Sequence, residues 1–225
     1  MATTQALTAV LRRELKRFIR RRDELLQPLV FFLLVVTLVS IAVGPDQSFF
    51  ARLAPAIAWV AVILALTLKL DVLFEQDYLD GTLEQLSLST TALPILVGMK
   101  LFAHWLVVAV PQIIAALFFL TIIGAHASVT LALGSALVLG TPTLLAIGAI
   151  ASALTLGLRS SGSLVAMLAI PLYLPVVIFG TTAVLNASNA LPAAAELYFL
   201  AGLSTLAITL CPFATAASIR ARLAI

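Results

Sequence analysis

Five carboxylates stand close together in one stretch of this chain: Asp71, Glu75, Asp77, Asp80 and Glu84. They are half of the ten acidic residues, and no Lys or Arg lies between Lys69 and Lys100 to neutralise them. The stretch reads Leu73-Phe74-Glu75-Gln76-Asp77-Tyr78-Leu79-Asp80-Gly81-Thr82-Leu83-Glu84-Gln85-Leu86. It holds no His or Cys and has no metal-ligand spacing. A charged group at mid-bilayer costs at least ~2.5–3.5 kcal/mol, so the stretch must face water or a partner protein. Its chemistry is that of a docking surface, with a plain solvated loop as the alternative.

Few other residues could do chemistry. His104 falls inside an apolar run, roughly 15 Å beyond Pro94 along a helix and close to mid-bilayer. Lys100 sits one turn before it. An intramembrane polar residue is a functional candidate by default, although a hydrogen bond to a neighbouring helix would also satisfy His104. His126 falls in a short loop. Trp59 and Trp105 are isolated and read as packing residues. The single cysteine, Cys211, excludes an intrachain disulfide and reads as a small packing residue. Ser, His and carboxylate residues do not cluster on one face of any apolar run, so no catalytic residues are expected. No cofactor is expected to be bound by the chain itself.

The elements that must carry these residues are membrane helices. The chain is 62% hydrophobic and 10% charged, against about 45–50% and about 25% in soluble domains. Apolar runs of about 20 residues recur, as spanning helices require. The expected fold is an all-α integral membrane domain over residues 1–225. Six spans are expected, at about 27–43, 53–74, 94–123, 129–158, 163–185 and 193–218. Residues 75–93 form a polar segment between spans two and three. There Asp80-Gly81 should break two short helices, with Thr82 capping the second. Leu79, Leu83 and Leu86 should anchor the segment while its carboxylates face outward. Gly140-Thr141-Pro142-Thr143 should interrupt the fourth span. The small residues at Gly148, Ala149, Ser152 and Ala153 allow close helix contact. Lys69 should snorkel to the headgroups.

Residues 5–24 read as an amphipathic helix on the membrane surface, with Arg12, Arg13, Lys16, Arg17 and Arg20 on its polar face toward anionic headgroups. A plain basic anchor is the alternative. No small-residue cleavage site follows, so a cleaved signal peptide is not expected. With both termini cytoplasmic, only Arg52 of the 13 basic residues is left outside, which the positive-inside rule favours strongly. The net charge of +3 is then topology, not a sign of nucleic-acid binding. The acidic stretch falls on the cytoplasmic side. The chain has no Gly-x4-Gly-Lys-Ser/Thr loop, so any ATP hydrolysis that drives it belongs to a separate subunit.

Phe74-x2-Asp77-x2-Asp80-Gly81-Thr82-Leu83-Glu84-Gln85-Leu86 resembles the cytoplasmic coupling segment of ABC-2-type exporter permeases, and among them the CcmB family. Lys100-Leu-Phe-Ala-His104-Trp105-Leu106, Leu139-Gly-Thr-Pro-Thr-Leu144 and Pro212-Phe-Ala-Thr-Ala-Ala217 agree in the right order. The resemblance implies a bacterial inner-membrane permease subunit of a haem exporter for c-type cytochrome biogenesis. It implies two copies working with two copies of the ATPase CcmA, beside CcmC and CcmD, with the haem chaperone CcmE released on ATP hydrolysis. Phe74, Glu75, Asp77, Asp80, Gly81, Thr82, Leu83, Glu84 and Gln85 would then meet the ATPase. Haem would be a substrate, for which His104, His126 and Lys100 are the candidate contacts. Two alternatives remain open: a mechanical coupling subunit that conducts nothing, and a general ABC-2 exporter of another substrate.

Overall fold

The computed structural model describes the backbone of residues 2–20, 22–44, 47–70, 72–158 and 161–223. It describes the side chains of these residues except 2–6, 15, 18–20, 22–25, 47–48, 51, 72 and 161. Residues 45–46, 71 and 159–160 lie outside the described residues, as does the side chain of Arg20.

All regular structure among the described residues is helical. The order is α1 (Ala2–Arg20), α2 (Arg22–Val43), α3 (Gln47–Thr67), α4 (Val72–Leu79), α5 (Thr82–Ser87) and α6 (Leu93–His104). A π-helical turn (Trp105–Ala109) joins α6 to α7 (Val110–Ile122), followed by α8 (Ala127–Leu154), α9 (Ser161–Ser188) and α10 (Ala194–Leu223). Among the described residues, α2, the continuous rod Leu93–Ile122, α8, α9 and α10 are long and apolar enough to cross a membrane. The apolar stretch of α3, Arg52–Thr67, is shorter. Five helices thus meet the length for a crossing, against the six expected.

α8 is the central helix. Its apolar window is 67% buried, against 17–33% in the other four long helices. Small residues make this position accessible. A Cβ on Gly148 would lie 2.4 Å from Leu70 Cδ1 and 2.8 Å from the Tyr173 hydroxyl. A Cβ on Gly140 would lie 2.8 Å from the Trp59 ring, and one on Gly180 of α9 only 2.3 Å from it. Trp59 therefore fills a slot between two glycines on neighbouring helices, and the spacing of Gly148 and Ser152 admits the close approach expected of it.

The helix breaks differ from expectation. α8 runs unbroken through Pro142. Beside it the Thr141 hydroxyl donates to the Leu137 carbonyl at 2.8 Å and accepts from Trp105 Nε1 at 2.9 Å. Pro212 lies inside α10, which is continuous from Ala194 to Leu223. The irregularity falls instead at Trp105–Ala109. Pro111 cannot donate, and its ring crowds the carbonyl four residues back; that carbonyl belongs to Val107 inside the π turn.

The second span also ends earlier than expected. α3 stops at Thr67, a turn follows at Leu68–Leu70, and Phe74 belongs to a separate helix. Lys69 does not snorkel. It is buried and donates to Gln27 Oε1 of α2 at 2.8 Å.

Candidate functional site

The polar segment folds as two short helices with a tight break, as its Asp80-Gly81 dipeptide requires. Gly81 adopts φ 74°, a left-handed conformation that glycine adopts without strain. The cap differs in detail from the expected Thr82. Gly81 occupies the N-cap position, and Asp80 Oδ1 accepts from the Thr82 backbone N–H at 3.0 Å. Hydrogen bonding from Thr82, its hydroxyl ahead of its backbone N–H, holds the Asp80 carboxyl below its ordinary pKa.

One side of this hairpin is fixed in a hydrophobic cluster. Leu73, Phe74 and Leu83 pack with Leu93, Val97 and Leu101 of α6, Ala149 and Ala153 of α8, Leu156 beyond it, and Ala216 and Ile219 of α10. Tyr78 lies over the turn at Gly157, whose φ is 76°. Arg222 of α10 donates through Nε and Nη2 to the Leu154 carbonyl, closing the C-terminal end of α8. The hairpin thus bears on three long helices at once.

The other side is open. Leu79 is 77% exposed and Leu88 85% exposed. Asp80, Glu84 and Gln85 are exposed beside them, and Glu75 is half-buried. Leu79 was expected to anchor the segment; it points away instead, and Leu83 and Phe74 do the anchoring.

Asp77 reverses expectation most clearly. It does not face outward but is 3% exposed. Its Oδ2 lies 2.5 Å from Lys100 Nζ of α6 and 3.1 Å from Arg13 Nη2 of α1. Both cations also meet Glu14 Oε1, Lys100 at 3.2 Å and Arg13 at 2.9 Å. Four charges of alternating sign therefore form a closed ring. Arg17 Nη1 approaches Asp77 Oδ1 at 3.6 Å, and Arg17 also donates to Gln76 Oε1. The Lys100 ammonium stands 5.8 Å from the Phe74 ring centroid, on its face. The Lys100, Asp77 and Glu14 side chains are each 4% exposed. Burial alone would raise the Glu14 pKa, but the charge of Lys100 and the bond from Arg13 hold it below the ordinary carboxylate value. For Arg13, partial burial opposes the charged form, and the bond to Glu14 and the charge of Asp77 overcome it, so its pKa is raised.

The amphipathic helix α1 is therefore divided in its use. Arg12 and Lys16 are exposed, consistent with a headgroup face. Arg13 and Arg17, expected on the same face, turn to α4. Glu14 escaped notice in the sequence. It continues the line of Leu7, Val10 and Leu11 at helical spacing, a carboxylate on an apolar stripe. Lys100 is its counterpart of opposite sign inside an apolar run, and that pairing of misplaced charges was the available signal.

The histidines lie far apart. His104 is buried at 5% exposure, one turn beyond Lys100. His126 is exposed beyond the far end of the rod and caps α8, accepting from the Ser128 N–H at 3.5 Å with its Nδ1 3.0 Å from Ser128 Oγ. The eighteen residues from His104 to Ile122 span about 27 Å of helix, so the two rings cannot meet on one iron.

The profile of the CcmB protein family matches residues 5–222. A protein of Haemophilus influenzae named Heme exporter protein B is 41% identical over 211 residues, covering 94% of this chain and 96% of that protein. The Pseudomonas aeruginosa protein of the same name is 41% identical over 217 residues, covering 96% and 97%. That of Rhodobacter capsulatus is 39% identical over 217 residues, covering 96% and 100%. With almost every residue of both partners inside these alignments, and a fold made of apolar helices around one polar hairpin, the chain belongs to the CcmB protein family.

Proposed function

We propose that this chain is the membrane permease subunit of an ABC-type haem exporter in c-type cytochrome biogenesis, and that the α4–α5 hairpin is the surface on which a separate ATPase subunit docks. The observation that carries the docking claim is the two-sided hairpin. Phe74 and Leu83 fix one side against α6, α8 and α10, while Leu79, Leu88, Asp80 and Glu84 are exposed on the other. Large apolar side chains exposed among carboxylates mark an interaction site. A push on this hairpin meets three long helices directly. The relatives' name, Heme exporter protein B, supports the substrate assignment.

In this reading the permease is not itself catalytic, and the ATPase binds and hydrolyses ATP. The resemblance supplies CcmA as that ATPase, CcmC and CcmD as neighbours, CcmE as the haem chaperone released, and a homodimer of this chain. The distribution of basic residues supports an inner-membrane orientation with both termini cytoplasmic. α3 then makes the sixth crossing, its Arg52 end outside.

A second reading is a mechanical coupling subunit that moves no haem. Two observations favour it: the histidines are too far apart to share an iron, and His126 is engaged as a helix cap. Haem uptake into inverted vesicles separates the two. ATP-dependent flux with the ATPase present supports conduction. Absence of flux alongside intact chaperone release leaves coupling alone. Normal c-type cytochromes after deletion of the gene would overturn the haem assignment.

A further inference from the structure

Docking alone does not explain why a lysine stands buried in α6, nor why a carboxylate stands on the apolar stripe of α1. We infer that Lys100 and Glu14 are positioning residues, closing with Asp77 and Arg13 a buried ionic lock that makes α1, α4 and α6 one mechanical unit. The inference rests on reading α4–α5 as the ATPase dock.

The geometry of the ring is the argument. Asp77 Oδ2 and Glu14 Oε1 are each bridged by the same two cations, Lys100 and Arg13, at 2.5–3.2 Å. Its members come from three elements, two from α1 and one each from α4 and α6. The hydrophobic cluster beneath α4 holds the hairpin down but is tolerant of sliding, since apolar contact is non-directional. An ionic ring is intolerant. Three of its four charges, those of Lys100, Asp77 and Glu14, are removed from water, and their desolvation is offset only while their pairs are closed. Any displacement of α4 along α6 takes Asp77 from the buried Lys100 ammonium and leaves it with Glu14 alone. Setting register is the best-attested use of buried polar groups in helical assemblies. Here the register set is that of the docking hairpin against the third crossing and the surface helix. α1 then takes part in the movement driven by the ATPase.

The lock predicts a separation of docking from coupling. In the reconstituted complex with its ATPase, Lys100→Met and Glu14→Gln should still hold the ATPase, because the exposed side of the hairpin is untouched. The haem-dependent output per ATP hydrolysed should fall about fivefold or more. Lys100→Arg, which keeps the charge, should recover most of it; a role in packing alone would favour Met over Arg. An unchanged output per ATP in Lys100→Met or Glu14→Gln, with the ATPase bound, would overturn the lock and leave the dock intact. Failure of the unaltered chain to bind the ATPase would instead overturn the docking reading on which the lock rests.

Discussion

Lys100 Nζ lies 2.5 Å from Asp77 Oδ2, with both side chains 4% exposed, so a membrane helix and the polar hairpin beside it are joined by a buried ion pair. Removing one member should be far worse than removing both. Asp77→Ala leaves Lys100 facing only Glu14 and should destabilise the protein by about 3–5 kcal/mol. The double change Asp77→Leu with Lys100→Met should recover much of that loss. Thermal unfolding of the purified protein in one fixed detergent, read as a double-mutant cycle, measures the coupling.

Acid should loosen the same ring. The Glu14 pKa in the folded protein is lowered from 4.5, so its contribution is fully present above the unfolded value and is lost as pH falls through the folded one. Melting temperature should therefore decline below about pH 4.5. Glu14→Gln should flatten part of that decline. An equally steep acid profile in the variant would remove Glu14 from the account.

Gly180→Ala should be destabilising by about 1–3 kcal/mol, the range for overpacking a filled core, because its Cβ would lie 2.3 Å from Trp59 Cζ2. Trp59→Phe, which shortens the ring system on that side, should suppress the defect. Trp fluorescence and thermal melting of the single and double variants provide the check.

Asp80 has two roles that substitutions can separate. Its carboxylate holds the Thr82 N–H at 3.0 Å. Asp80→Asn keeps an acceptor there and should leave the hairpin intact, while Asp80→Ala should cost about 1 kcal/mol of local stability. Hydrogen exchange at the α5 amides would show faster opening in Ala than in Asn. If both variants exchange alike, the carboxylate does not cap α5.

Much of the fold was legible because apolar runs bounded by turn residues mark membrane helices, and Asp80-Gly81 marks the hairpin break. The faces of α4 were not. A helix of eight residues has too few turns for periodicity to say that Phe74 and Asp77 face inward and Leu79 outward. The ring was hidden for a different reason. Glu14 and Lys100 are 86 residues apart, and nothing local in either neighbourhood names the other. Pro142 does not interrupt α8 because neighbouring helices can hold a proline-bearing helix continuous, and a local dipeptide does not show those neighbours. The end of α3 at Thr67 was obscured because the residues from Leu68 to Phe74 remain largely apolar while serving the turn and α4.

The docking face gives the most direct test. Glu84→Lys with Leu88→Glu alters only exposed side chains of the hairpin, sparing Asp80 and the buried ring. Recovery of the ATPase subunit with the tagged permease from native membranes should fall at least about tenfold, a loss of ~1.4 kcal/mol or more of docking free energy, with membrane insertion unchanged. Undiminished recovery together with normal c-type cytochrome assembly would show that the ATPase docks elsewhere and would contradict the account.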